Sequence, residues 1–206
     1  MNEAMTILYE VDGALYVNVT NRCSNNCSFC IRNNGEGAYG SDSLWLSREP
    51  TLGEVKEALS GFDLSKYSEL VFCGYGEPSY RLQLCREAAL YAKELCPGLK
   101  TRINTNGQSD LILGIDSAPL YAGAFDCVSV SLNAPDADSY LDICQPVYGL
   151  DSFNAIIKFT KNVKNYVHNT ILSVVDAALG EDEIETCRTI AGECGVPLRV
   201  RAYIAP

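Results

Sequence analysis

Two short segments of alternating apolar and polar residues, Met5–Val11 and Ala14–Thr20, flank Asp12-Gly13 near the start of the chain. Period-two alternation around an Asp-Gly pair predicts a β-hairpin closed by a tight turn. A stretch rich in Asn, Gly and Ser, from Asn21 to about Ser43, reads as a loop. Beyond it, apolar runs of strand length alternate with runs of helical periodicity. Glu69–Cys73, Lys100–Asn104, Asp126–Leu132, Val167–Val175 and Val196–Tyr203 read as strands, the last ending in Ile204-Ala205-Pro206. Thr51–Leu59, Leu82–Leu95, Asp136–Leu141, Asp151–Asn162 and Asp182–Glu193 read as helices. Thr51 with Glu54 three residues later is a capping-box signal. Near-continuously apolar strands alternating with helices predict an α/β fold: a mostly parallel sheet covered by helices, with an N-terminal β-hairpin. No linker, internal repeat or low-complexity tract divides residues 1–206, so one domain is expected.

The polar residues fall at one kind of place. Glu77, Asn104, Asn106, Ser131 and Asn133 lie at or just past the carboxyl ends of predicted strands. In parallel α/β folds that edge is where ligands bind. Composition narrows the ligand. The chain carries 16 basic and 26 acidic residues, a formal net charge of −10, which argues against general nucleic-acid or anionic-membrane binding. No apolar run is long enough to span a bilayer. Met1–Glu10 lacks the basic region and apolar stretch of a secretory leader, so a cytoplasmic protein is expected. Ten cysteines in such a protein need an account other than disulfides.

Three of them supply one. Cys23, Cys27 and Cys30 stand within eight residues in a polar loop, a poor place for thiols that merely fill a core. Thiolates are soft ligands suited to zinc, copper(I) or iron–sulfur clusters. Structural zinc takes four ligands, and the only histidine, His168, is remote in sequence, while Cys73 and Cys127 sit in apolar strands. A redox pair needs only Cys27-x-x-Cys30. Three thiolates suit a [4Fe-4S] cubane with one iron left open for a small ligand. The other cysteines show no second close cluster: Cys73 and Cys127 fit strands, and Cys85, Cys96, Cys187 and Cys194 fit helices. Cys144 precedes Gln145-Pro146 in a loop and is a candidate to approach the site.

The spacing C-x3-C-x-aromatic-C after a first strand resembles the radical S-adenosylmethionine (SAM) superfamily, and the order of elements extends the likeness over nearly the whole chain. The resemblance implies a partial (β/α)6 TIM-like barrel, with Cys23, Cys27 and Cys30 as ligands of a [4Fe-4S] cluster. It implies SAM chelated on the open iron and reductively cleaved to methionine and a 5′-deoxyadenosyl radical, which abstracts hydrogen from substrate. Phe29 matches the family's aromatic beside the adenine, or plugs the loop. Gly74-Tyr75-Gly76-Glu77-Pro78 is similar to the family's Gly-Gly-Glu-Pro segment, departing from it at Tyr75. By this likeness Gly74 and Gly76 bring backbone close to the cofactor and Glu77 receives the ammonium of SAM, unless Glu77 only starts a helix with Pro78. Asn104-Thr105-Asn106-Gly107 resembles a Thr-Asn-Gly strand ending, so Asn106 contacts SAM or substrate, or closes the turn. Ser131 and Asn133, with Ser129 on the same face, match positions that contact the ribose or carboxylate of SAM; Ser173 is a weaker candidate. Arg199 and Arg201 alternate on the last strand and offer planar donors to a carboxylate or phosphate, or form salt bridges to a helix.

Arg32-Asn33-Asn34, Tyr39, Trp45 and the segments around Cys30, Gly74 and Asn104 resemble more closely the TatD-linked radical SAM subgroup. That name implies no nuclease here, since the chain has no histidine-rich metal site. The implied partners are an electron donor such as flavodoxin or ferredoxin and a small-molecule or peptide substrate. Alternatives are a glycyl-radical-enzyme activase, a deazapurine synthase-like enzyme, or a non-catalytic iron–sulfur protein.

Overall fold

A computed structural model describes residues 5–203. Its core is a seven-stranded sheet in sequential order: β1 (Leu8–Val11), β2 (Ala14–Val17), β3 (Glu69–Phe72), β4 (Lys100–Thr105), β5 (Cys127–Ser131), β6 (Asn169–Val175) and β7 (Leu198–Arg201). β1 pairs antiparallel with β2, and every later neighbour is parallel. Strictly sequential parallel order needs a crossover between successive strands, and the helices provide it. They are α1 (Leu52–Ser60), α2 (Leu82–Leu95), α3 (Ser109–Leu113), α4 (Ala137–Cys144), α5 (Asp151–Val163) and α6 (Glu181–Cys194). The two edge strands, β1 and β7, do not pair, so the sheet is an open, partial barrel.

Local chemistry accounts for the element boundaries. Asp12 and Gly13 both take positive φ, 48° and 77°, as a type I′ hairpin turn requires. Thr51 and Glu54 form the reciprocal capping box: the Glu54 amide donates to Thr51 Oγ1 at 3.3 Å, and the Thr51 amide donates to Glu54 Oε2 at 2.8 Å. Asp136 caps α4 by accepting from the Ser139 amide at 2.8 Å. The last strand is shorter than Val196–Tyr203, with Leu198 its first residue. Pro197 lacks an N–H for the ladder, and Tyr203 turns away to donate its amide to Asp176 Oδ1 at 2.9 Å. The expected continuation into Ile204-Ala205-Pro206 lies outside the described residues. Helix α3 was not expected, because its five residues are too few to show a helical period.

The strands are not the near-continuous apolar runs that a sheet covered on both faces would show. On β4 and β5 the residues facing the helices are Thr101, Ile103, Val128 and Val130, buried in the main core with Leu70, Phe72 and Ile156. The alternate positions, Arg102, Asn104, Ser129 and Ser131, line the hollow of the half-barrel. A smaller cluster of Tyr9, Val11, Ala38, Leu44 and Tyr75 joins the hairpin to the loop after the cysteines. No helix among the described residues is long and apolar enough to cross a membrane.

Candidate active site

The cysteine loop leaves β2 and is strapped down from four directions. Asn18 Nδ2 donates to the Leu44 carbonyl at 2.7 Å. Asn21 Nδ2 donates to the Leu46 carbonyl at 2.7 Å and receives the Leu46 amide on Oδ1 at 3.0 Å. The Glu77 amide donates to the Arg22 carbonyl at 2.7 Å, joining the loop to the turn after β3. The Asn26 and Ser28 amides donate to the Cys144 and Ile143 carbonyls at 2.9 and 3.0 Å, using acceptors the end of α4 would otherwise leave unsatisfied.

Beneath the loop lies a buried polar triad that sequence reading missed. Asn25 Nδ2 donates to Tyr140 Oη at 2.7 Å, while Gln108 Nε2 donates to Asn25 Oδ1 at 2.8 Å and to Tyr140 Oη at 3.0 Å. Beside it Asn106 Nδ2 donates to Ser24 Oγ at 2.7 Å. These bonds fix Ser24 and Asn25, and so the backbone between Cys23 and Cys27.

The three loop thiols line one cavity of about 310 Å3 at the carboxyl edge of the sheet, each partly exposed, and Cys73, expected to fit a core strand, lies one residue past β3 and lines the same cavity. Burial and the nearby Glu77 push the Cys23 thiol up to about 12. Cys27 is raised by a hydrogen bond with the Cys144 side chain and by burial, and Cys30 by burial. Burial thus favours the protonated thiols, and binding a soft metal releases those protons. Among the described residues no three metal-ligating side chains are grouped closely enough to hold one metal ion. A cubane instead offers a separate corner iron to each thiolate. Cys144 is buried against Cys27 but does not line the cavity.

The remaining sequence candidates divide. Phe29, Gly74, Glu77, Asn106, Ser131 and Asn133 line the cavity with the cysteines, as do Ser129 and Ser173. Gly76 does not. A Cβ there would lie 2.2 Å from the Thr20 carbonyl oxygen and 2.7 Å from that of Arg22, so its smallness seats the cysteine loop itself. At Gly74 a Cβ would meet Asn18 Oδ1 at 2.2 Å. Tyr75, the departure from the Gly-Gly-Glu-Pro pattern, points into the smaller core. It donates its hydroxyl to the Gly35 carbonyl at 3.0 Å and packs edge-on against Trp45.

Glu77 is buried and receives three donors. Thr105 Oγ1 and the Ser79 amide donate to Oε1 at 2.7 and 3.0 Å, and the Asn106 amide donates to Oε2 at 2.6 Å. Burial raises its pKa against these donors. It makes no ion pair among the described residues. A cavity-lining carboxylate without a cation is costly, and the arrangement suits a cationic ligand. Asn106 closes its turn: its amide goes to Glu77, and its Oδ1 accepts from the Gln108 amide at 3.0 Å. Asn133 takes positive φ, 56°, and its buried Oδ1 has no partner among the described residues; nor has Asn104 Oδ1 on the same cavity. Unpartnered buried acceptors around a hollow are what a donor-bearing ligand would satisfy.

Together the open parallel barrel, the cysteine loop and the polar hollow define an α/β protein with one polar cavity at the carboxyl edge of its sheet. The sequence matches the family model of the radical SAM superfamily over residues 17–190, and the chain belongs to that superfamily. No curated protein matches it in sequence. Among solved structures it is similar to Streptococcus suis SuiB bound to S-adenosylmethionine, at 18% identity and TM-score 0.63, over 92% of this chain and 38% of that one. A radical SAM methyltransferase from Sphaerobacter thermophilus matches at 17% identity and TM-score 0.61, over 95% of this chain and 57% of the other. Methylornithine synthase (PylB) matches at 14% identity and TM-score 0.61, over 93% and 53%. The chain thus spans 38% to 57% of the lengths of these three structures.

Proposed function

We propose that this chain is the catalytic core of a radical SAM enzyme acting on a small-molecule or peptide substrate. The observation that carries the reading is the sharing of one cavity by the loop cysteines Cys23, Cys27 and Cys30, with Cys73 also on its wall, a buried carboxylate in no ion pair, and two amide oxygens without a hydrogen-bond partner among the described residues. Cys23, Cys27 and Cys30 would hold a [4Fe-4S] cluster. Glu77 would receive the ammonium of SAM, Phe29 would lie by the adenine, and Gly74, Ser131 and Asn133 would line the rest of its site. Gly76 and Asn106 would act by fixing the loop and turn that frame it. When bound, cluster and SAM supply reductive cleavage of SAM and, from it, a radical able to abstract hydrogen; the electron would come from a reduced flavodoxin or ferredoxin.

The chain's own work is to keep the loop rigid, to meet the charge of SAM and to exclude water from the hollow. Residues 1–206 would form this single core domain, in a protein of the cytoplasm. The closer likeness of Arg32-Asn33-Asn34, Tyr39 and Trp45 to the TatD-linked subgroup is kept as part of the proposal. The test is anaerobic incubation of cluster-loaded protein with SAM, reductant and an extract of cells grown in deuterated medium. Deuterium in 5′-deoxyadenosine, dependent on the extract, is expected. Cleavage of SAM with no hydrogen transfer from any extract fraction would contradict a hydrogen-abstracting role.

A further inference from the structure

Three arginines face the hollow, Arg102 from β4 and Arg199 and Arg201 from β7. Arg102 is neutralised, its Nη2 lying 2.7 Å from Glu69 Oε1. The salt bridges to a helix that would equally explain Arg199 and Arg201 are missing among the described residues. In the sheet register Arg199 stands beside Ser173, itself beside Ser131, and Arg201 stands beside Val175. The two guanidinium groups therefore occupy successive inward positions at the carboxyl end of the last strand. Arg201 Nε is buried without a hydrogen-bond partner. Burial, with Arg199 and Arg102 nearby, lowers the Arg201 pKa. A chain of net charge −10 thus places two arginines that form no ion pair among the described residues at one wall of its cavity. Leaving the largely buried Arg201 charge and its Nε donor unpaired is unfavourable, and a ligand acid would relieve it, with the more exposed Arg199 beside it.

That acid is not the obvious one. The carboxylate of SAM shares a carbon with its ammonium, which Glu77 would receive, so the acid for β7 is sought on the substrate. The arginine at the cysteine loop is Arg32, whose Nη2 donates to the Asn25 carbonyl at 3.2 Å and to Asn26 Oδ1 at 3.3 Å. The groups around Arg201 are instead Cys73, Tyr39, Arg199 and Arg102. We propose that Arg199 and Arg201 form the subsite for an acidic group of the substrate, a carboxylate or phosphate, and so orient it within the hollow. The proposal rests on the radical SAM reading and adds the substrate's chemical class to it. A guanidinium offers a planar, two-pronged donor set that matches either acid.

The test uses the full, cluster-loaded chain under anaerobic conditions with SAM saturating. Acetate, succinate and inorganic phosphate are titrated separately into wild type, R201Q, R201K and R199Q. Saturable binding of at least one anion to wild type is expected, the carboxylate and phosphate arms showing which acid is taken. R201Q and R199Q should weaken it about tenfold or more, as loss of a charge-assisted hydrogen bond implies. R201K, which keeps the charge but not the fork, should weaken it less. R199Q alters an exposed side chain, so its result stands even where R201Q folds poorly. No saturable anion binding, or equal binding by wild type, R201Q and R199Q, would overturn the proposal. A comparable loss of SAM affinity in R201Q would also overturn it, by assigning the arginine to SAM's own carboxylate. Failure of the radical SAM reading would show separately, as wild-type protein that never cleaves SAM.

Discussion

Replacing Glu77 by Gln tests whether the buried carboxylate does more than hold the turn together. The three donors at Glu77 come from Thr105 and Ser79 on one oxygen and Asn106 on the other. Glutamine can keep the first pair on its oxygen, but its amide then faces the Asn106 N–H with a donor. One buried N–H loses its acceptor, which costs about 1–3 kcal/mol in the SAM-free protein. If Glu77 also meets the ammonium of SAM, the lost charge-assisted bond removes a further ~1.5–3 kcal/mol from binding. That corresponds to about 10- to 150-fold in affinity. The two effects separate in denaturant unfolding with and without SAM, on anaerobic samples matched for iron. At 100 times its dissociation constant a ligand stabilises by about 2.7 kcal/mol. A tenfold weaker complex at the same concentration retains about 1.4 kcal/mol by the same relation. E77Q should therefore start less stable and gain at most about half as much from SAM, with iron content unchanged. A destabilised variant that binds SAM as wild type does would reduce Glu77 to a structural bracket and refute the electrostatic reasoning.

Other perturbations probe the frame around the thiols. Tyr140→Phe removes the acceptor shared by Asn25 and Gln108; chemical denaturation should show a loss of about 2 kcal/mol and faster iron release to a chelator, and unchanged values would deny the triad its role. Gly76→Ala drives a Cβ into the Thr20 and Arg22 carbonyls. Reconstituted iron should drop with a stability loss of roughly 1–3 kcal/mol, and full iron loading would show that this contact does not seat the loop. Cys144→Ala should keep about four irons per chain, because Cys144 lies off the cavity; loss of iron would make it a ligand. Duplex DNA titrated at moderate salt should show no general affinity at a net charge of −10, and tight binding would contradict that.

What could be read ahead of the structure was set by short-range chemistry. The Asp12-Gly13 turn, the Thr51 capping box, the helices from Leu82 and Asp151, and the cysteine spacing each depend on residues a few positions apart. The parallel order followed from the alternation of elements. Long-range partnerships were hidden. Asn25 meets Tyr140 across 115 positions, and Glu77 meets Thr105 across 28, so neither sequence neighbourhood announces its partner. Gly76 was read as an approach to a ligand, yet the backbone it approaches is the chain's own. Tyr75 looked like a lapse from a pattern and proves to anchor the loop beyond the cysteines. The polar lining was half visible: Ser129 and Ser131 alternate within one strand, and Asn133 follows two residues past its end. Arg102 gave no such signal, because only the sheet brings it into the same hollow as Arg199 and Arg201.

The central claim is that Cys23, Cys27 and Cys30 carry a cluster that cleaves SAM. It is tested most directly by anaerobic reconstitution with iron and sulfide, reduction in the presence of SAM, and measurement of 5′-deoxyadenosine. Wild-type protein is predicted to hold about four irons and to form 5′-deoxyadenosine, and each single Cys→Ala variant at these positions to form none. Full cleavage by a verified triple-alanine protein, or a fully loaded wild type that leaves SAM intact, would contradict the account.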